Sequence, residues 1–293
     1  MILNMADTDF LTEDVFNSFI SILTEYTGIV PRATHRDGIK RYIETVLQEK
    51  HYSIDDYKAL LLSNKNFISE FVNQSTVNET YFFREEKQFT LLKDKLYPQW
   101  RLKNPNKEIK IWSAACSYGE EAYSLAVLAL TCGLKPLVMA SDINSEVLEH
   151  CKSGVFLGTS LRSVDGVIYQ KLVLPYRRAD GKIAFPESIK QNINTFQLNL
   201  SEIDSGLYDS VLPKEQNIIF LRNVFIYFSP ELRKRILTTI AEKCLADDGY
   251  LFVSISEIAQ LDSAIVPSSL EKVVDGNVFY FHKIGGENAG SLK

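Results

Sequence analysis

No stretch of this chain reaches the roughly 18 uncharged apolar residues that a membrane-spanning helix requires. The opening segment, MILNMADTDFLTEDV, has neither a basic start nor a long apolar run, so it does not read as a signal peptide. Cysteine is sparse: Cys116, Cys132, Cys151 and Cys244 lie far apart, with no CxxC pair and no Cys/His cluster. That spacing argues against structural zinc and points to a reducing compartment. Basic charge is not in excess either. The formal net charge is −5, which gives no general attraction to nucleic acid or to an anionic membrane. These absences lead us to expect a cytoplasmic protein without metal, nucleic acid or membrane insertion; a monomer is favoured, and the small polar tail, 285–293, reads as flexible.

What is present falls into two regions of different period. Within residues 1–76, Phe16, Phe19, Ile20 and Leu23 follow the i, i+3, i+4, i+7 spacing of one helical face, and Ile39, Tyr42, Ile43 and Val46 repeat it. Shorter matches at Tyr57, Leu60 and Leu61 and at Ile68, Phe71 and Val72 complete four short helices, with Gly28 and Pro31 marking the first break. Residues 77–107 read as a linker and connecting helix. From 108 to 284 the apolar runs 108–115, 137–144, 217–224 and 249–256 alternate with helical segments, the pattern of a doubly wound, Rossmann-like α/β domain. NVFYFHK (277–283) suits an antiparallel edge strand. Residues 160–198 break the rhythm. There, KLVLPYRRADGKIAF reads as a small antiparallel insertion whose two strands turn at Asp180-Gly181.

Ligands of open α/β sheets bind beyond the carboxyl ends of the strands, where strand order reverses. The turn after the first strand holds Ser113, Ala114, Ala115, Ser117 and Gly119, small residues that allow close approach, and it leads into a helix N-terminus. Glu120 and Glu121 stand there too. Two carboxylates repel a pyrophosphate and favour a ligand with an ammonium group, which S-adenosylmethionine carries; equally, they complement the helix dipole. Asp142 lies 23 residues beyond Gly119, near the ~20-residue offset of a ribose-binding acid, and reads alternatively as a helix cap. Asn199-Leu200 ends a strand-like run and suits an adenine edge and face, or ordinary loop packing. Arg222 and Asn223 interrupt an apolar segment, so they need either a ligand or an ion-pair network, and Tyr227 follows closely. In NETYFFRE, Asn78 and Thr80 offer hydrogen bonds, Phe82 and Phe83 an apolar wall or a structural anchor, and Arg84 a cation.

As a set these segments resemble the CheR family, the chemotaxis receptor glutamate O-methyltransferases. Seven motifs carry the likeness in order: Thr27-Gly28-Ile29, Asn78 to Arg84, Trp112 to Ser124, Ser141 to Ile143, Asn199-Leu200, Arg222 to Phe228, and Gly249 to Glu257. The resemblance implies S-adenosylmethionine as cofactor, contacted by Asn78, Thr80, Arg84, Glu120, Asp142, Asn199, Leu200, Arg222 and Asn223. It implies a helical domain capping the cleft, and methyl esters formed on glutamates of a chemoreceptor's cytoplasmic domain, with Arg84 and Tyr227 lining the transfer site. Two features depart from the family. Residues 1–75 hold 7 Lys+Arg against 11 Asp+Glu, where family members carry an Arg-rich second helix, so steering toward an acidic receptor is weak. The inserted hairpin is also compact. A cofactor-binding regulatory protein, or a methyltransferase of another protein, therefore stands as an alternative. An NAD enzyme fits poorly, because the first turn lacks G-x-G-x-x-G.

Overall fold

The computed structural model describes residues 11–162 and 167–285. The first ten residues, and all but the first residue of the tail read as flexible, lie outside the described residues. The chain divides into two compact units, Met1–Val77 and Asn78–Lys293.

Four helices build the first unit: α1 (Glu13–Thr27), α2 (Ala33–Lys50), α3 (Ile54–Ser63) and α4 (Lys65–Ser75). The periodic residues do bury one face of each, with Phe16, Phe19 and Leu23, then Ile39 and Ile43, Tyr57 and Leu61, and Ile68, Phe71 and Val72 in the core. Thr12, Ser53 and Asn64 accept backbone N–H bonds at the starts of α1, α3 and α4, each such cap contributing about 1 kcal/mol. The Thr27-Gly28-Ile29 motif is a helix stop. Gly28 takes φ 72° and donates its N–H to the Thr24 carbonyl, while the Thr27 hydroxyl accepts from the Ile29 N–H at 3.0 Å.

The second unit begins with α5 (Glu86–Leu91), a π-helical turn (Leu92–Leu96) and α6 (Tyr97–Lys103). Then follow β1 (Glu108–Ser113), α7 (Glu120–Thr131), β2 (Lys135–Asp142), α8 (Ser145–Ser153), β3 (Val155–Phe156), α9 (Val167–Gln170), β4 (Ile183–Ala184) and α10 (Glu187–Lys190). The chain closes through β5 (Ile193–Gln197), β6 (Gln216–Phe220), α11 (Pro230–Thr239), β7 (Leu245–Phe252), β8 (Leu270–Asp275) and β9 (Val278–Lys283). Seven strands form one sheet in the order β5-β2-β1-β6-β7-β9-β8, parallel except for β9, which runs antiparallel to both neighbours. Chain order reverses between β1 and β6, and that is the switch point. The inner strands are apolar on both faces, as a sheet covered on both sides demands: Ile109, Ile111 and Trp112 in β1, and Ile218, Ile219 and Phe220 in β6, are buried.

Two strand expectations need correction. Residues 277–283 are not the edge, because β8 pairs outside β9 and takes that place. β8 reads LEKVVD, a mixed segment whose exposed Glu271 and Lys272 hide a strand pattern but suit a sheet edge. In the insertion, the stretch before Asp180-Gly181 is a 3₁₀ turn (Leu174–Tyr176), since Pro175 favours a turn over a ladder. β4 pairs instead with β3, and Arg177 makes only an isolated bridge to Ile183. Among the described residues, no helix is long and apolar enough to cross a membrane.

Candidate active site

β1 ends at Ser113, and the chain reaches α7 through a turn slung between two neighbouring strands. The Ala114 N–H donates to the Phe220 carbonyl at 2.8 Å and the Cys116 N–H to the Ser141 carbonyl at 2.9 Å. Ser117 takes φ 51° and Gly119 φ 105°. The first is unfavourable for an L side chain and needs an outside anchor. Asp142, at the end of β2, supplies it by accepting the Ser117 N–H at 2.9 Å and the Asn144 N–H at 3.0 Å. Burial raises the Asp142 pKa from its ordinary value, and these N–H bonds pull it part of the way back. The cap of α8 is Asn144, whose side chain accepts from Glu146 and Val147. Asp142 is thus a loop anchor rather than a helix cap.

The two carboxylates that open α7 have different surroundings. Glu121 accepts the Ser113 hydroxyl at 2.6 Å and lies 2.9 Å from Arg222 Nε, with the two side chains 12% and 2% exposed. The Nε approach is a charge contact without hydrogen-bond alignment. The rest of the guanidinium is well aligned: Nη1 and Nη2 donate to the Arg84 carbonyl, both at 2.8 Å, and Nη1 also to Gln88 Oε1 at 2.8 Å. Phe89 and Phe220 rings flank it. The ion-pair network that was one of the two readings of Arg222 is present. Glu120 is buried, and its Oε1 accepts the Ser160 hydroxyl at 2.7 Å. Its Oε2 is buried with no hydrogen-bond partner among the described residues, and so is the Ser117 hydroxyl three residues earlier. Burial drives the Glu120 pKa upward against the Ser160 bond.

The turn after β6 is held from beneath. Asn223 adopts φ 58° and donates its N–H to Glu257 Oε2 at 2.8 Å; Glu257 also accepts from Ser254 N–H at 3.1 Å and Ile226 N–H at 3.4 Å. Glu257 is fully buried, which raises its pKa. This anchor fixes the 3₁₀ turn Phe225–Tyr227, on which Tyr227 is half-buried.

The remaining residues singled out from the sequence sit as follows. Leu198 N–H donates to the Asp142 carbonyl at 3.0 Å, which sets Asn199-Leu200 just beyond β5, beside the end of β2. Asn199 Oδ1 accepts the Ser201 N–H and hydroxyl, capping the short turn that buries Leu200. Asn78 and Thr80 are half-buried on the segment leading to Arg84, whose Nη1 donates to the Glu79 carbonyl at 2.7 Å. Phe82 and Phe83 form no cleft wall. Both are fully buried, packed on Phe156, Phe185, Phe89 and Tyr169, and Phe83 holds φ 57° through an N–H bond to the Ser124 hydroxyl. The structural anchor is the reading that applies to them. The sequence named Glu121 only jointly with Glu120, and it did not assign Gln88, Ser160 or Glu257. Of these only Glu257 carried a signal, a lone carboxylate just past an apolar strand. Among the described residues, no group of three His, Cys, Asp or Glu side chains could hold a metal ion.

A family model described as CheR methyltransferase, SAM binding domain, matches residues 78–271. Chemotaxis protein methyltransferase 1 of Vibrio cholerae is 34% identical over 266 residues, covering 84% of this chain and 90% of that protein. A chemotaxis protein methyltransferase of Vibrio parahaemolyticus is 36% identical over 200 residues, 64% of this chain and 66% of that one. One from Escherichia coli is 31% identical over 266 residues, 88% of each.

Gly119 has no room for a side chain. A Cβ there would meet Cys151 Sγ at 2.4 Å and Cβ at 2.9 Å, on a backbone at φ 105°. Gly119→Ala should cost about 2–4 kcal/mol of unfolding free energy, read by denaturant titration. Adding Cys151→Ala should restore part of it, because the worst clash is with the sulfur.

Proposed function

The chain belongs to the CheR methyltransferase family, and from that premise we propose that it esterifies glutamate side chains of a chemoreceptor's cytoplasmic domain, using S-adenosylmethionine. The observation that carries the cofactor site is the pair of buried polar atoms without partners in the turn that opens α7. Glu120 Oε2 is an acceptor suited to an ammonium, and the Ser117 hydroxyl is a donor suited to a carboxylate, which are the two ends of an amino acid. Asp142 stands at the end of the adjacent strand for a ribose. Asn199 and Leu200 follow for the base. Bound S-adenosylmethionine supplies a methyl group on a sulfonium, a carbon already activated toward an oxygen nucleophile.

The chain has little acid–base work to do. A glutamate of reference pKa about 4.3 is ionised near neutral pH, so its oxygen needs no general base. What the protein contributes is alignment and exclusion of water. We assign Arg84 and Tyr227 to the side of the cleft that receives the acceptor carboxylate, the first as a cation and the second as a hydroxyl donor. In the same reading Arg222 is a positioning residue: its side chain acts through Arg84 and Glu121, and Asn223 meets the cofactor from a turn fixed by Glu257. Asn78 and Thr80 complete the contact set on the approach to Arg84.

The direct test is incubation of the purified protein with methyl-labelled S-adenosylmethionine and the cytoplasmic domain of a chemoreceptor from the same organism. Base-labile label on receptor glutamates is expected. Tight cofactor binding with no label on any receptor of that organism would favour a regulatory role and contradict the proposal.

Glu120 also gives the cofactor affinity a pH dependence. Its raised pKa means that some of the free protein carries a neutral Glu120 at mildly acidic pH, whereas the ammonium requires the carboxylate. Binding there must expel a proton. Affinity should therefore rise with pH, by at most about tenfold per unit, and level off once Glu120 is ionised in the free protein. Calorimetry with S-adenosylhomocysteine in buffers of different ionisation enthalpy should show proton release on the acidic side only. Proton uptake there would contradict the assignment.

A further inference from the structure

A second cation stands beside Arg84. Residues 160–162 are joined to the segment before Arg84 by the Phe82 N–H bond to the Ser160 carbonyl at 3.0 Å, and Ser160 is the residue that holds Glu120. Two positions on, the Arg162 guanidinium lies 4.8 Å from the centre of the Tyr81 ring, and the Arg84 guanidinium lies 5.7 Å from the same ring. Tyr81 is buried, so the platform that both cations share is fixed. Glu79 ties them together: its carboxylate accepts from Arg162 Nη1 at 2.9 Å and its carbonyl from Arg84 Nη1 at 2.7 Å.

The Arg162–Glu79 pair is badly placed for a structural role. The two side chains are 46% and 56% exposed, and a pair that open to solvent is held only weakly. Exchanging Glu79 for a carboxylate from outside therefore costs little. A guanidinium fork suits that exchange, because it binds carboxylates through two parallel hydrogen bonds. The chain carries a net charge of −5, so an acidic partner must be drawn by local cations rather than by the overall field.

We propose that Arg162 is a specificity-determining residue that takes an acidic side chain flanking the methyl-accepting glutamate, and that Glu79 is the internal carboxylate it releases in doing so. The inference rests on the glutamate-methylation reading above. It narrows the substrate to a surface with a second carboxylate beside the acceptor, while Arg84 remains for the acceptor itself.

Methyl transfer to the receptor domain should be measured for the wild type and for Arg162→Glu, Arg162→Lys and Glu79→Gln. Arg162→Glu should raise KM about tenfold, the size expected for reversing one charge contact, and flatten the dependence of kcat/KM on ionic strength. Arg162→Lys should raise KM by less, since it keeps the charge and loses the fork. Glu79→Gln should lower KM, about two- to fivefold, by removing the competing carboxylate. The affinity of all three for S-adenosylhomocysteine should stay within about twofold of wild type, because the cation is assigned to the acceptor and not to the cofactor. An unchanged KM in Arg162→Glu, or a raised one in Glu79→Gln, overturns the inference while wild-type transfer leaves the parent reading intact. Absence of transfer by the wild type overturns both.

Discussion

The contact between Arg222 and Glu121 organises the strand ends at the switch point. Removing an arginine from water costs several kcal/mol unless its donors and its charge are matched, and Arg222 is 2% exposed. The match comes from three separate stretches of chain: Glu121 at the start of α7, the Arg84 carbonyl, and Gln88 on α5, whose Nε2 in turn donates to the Val253 carbonyl beyond β7. One guanidinium thus fixes the ends of β6 and β7, the entry to α7 and the segment before α5. Around it cluster residues with backbone in the left-handed region: Phe83, Glu85, Ser117 and Asn223. Such conformations cost about 1–3 kcal/mol each and persist only where neighbours overdetermine them. The anchors here are Ser124 under Phe83, Asp142 under Ser117 and Glu257 under Asn223.

The same contact divides the labour of two adjacent carboxylates. Both stand in the first turn of α7, where the helix dipole favours negative charge. Glu121 is matched by Arg222 and Ser113. Glu120 has one oxygen bound to Ser160 and, among the described residues, one buried without a partner, which is the ground on which we assign it to the ammonium. Asp142 and Glu257 show a third arrangement, in which a buried carboxylate binds several backbone N–H groups and holds a turn rather than a ligand's charge. Burial raises the pKa of Glu120, Asp142 and Glu257 alike, but among the described residues only Glu120 of the three has an oxygen without a partner.

Much of this was legible in the residues. The helical period of Phe16 to Leu23 and Ile39 to Val46, and the apolar runs of the parallel strands, follow from burial on one face or on two, and the cap at Gly28 follows from its conformational freedom. What escaped was non-local. β8 is an edge strand with charged residues, and β3 and β4 are two residues each, too short to leave a period. Nothing in the local sequence separates Glu120 from Glu121, because their difference is made by Arg222, about a hundred residues away, and by Ser160 in the insertion. For Phe82 and Phe83 the sequence leaves a cleft wall and a structural anchor both open, because local spacing does not show which neighbours they meet. The neighbouring Phe156 and Phe185 take Phe82 into the core.

The division between the two carboxylates is the point on which the account turns, and isosteric replacement of each separates them. Affinity for S-adenosylhomocysteine by calorimetry and stability by denaturant unfolding should be measured for Glu120→Gln and Glu121→Gln. Glu120→Gln should lose about tenfold or more in affinity with stability unchanged or higher, since a costly buried charge is removed. Glu121→Gln should lose about 3 kcal/mol or more of stability, because it leaves Arg222 buried without its counter-charge. Normal binding by Glu120→Gln together with wild-type stability of Glu121→Gln would contradict the account.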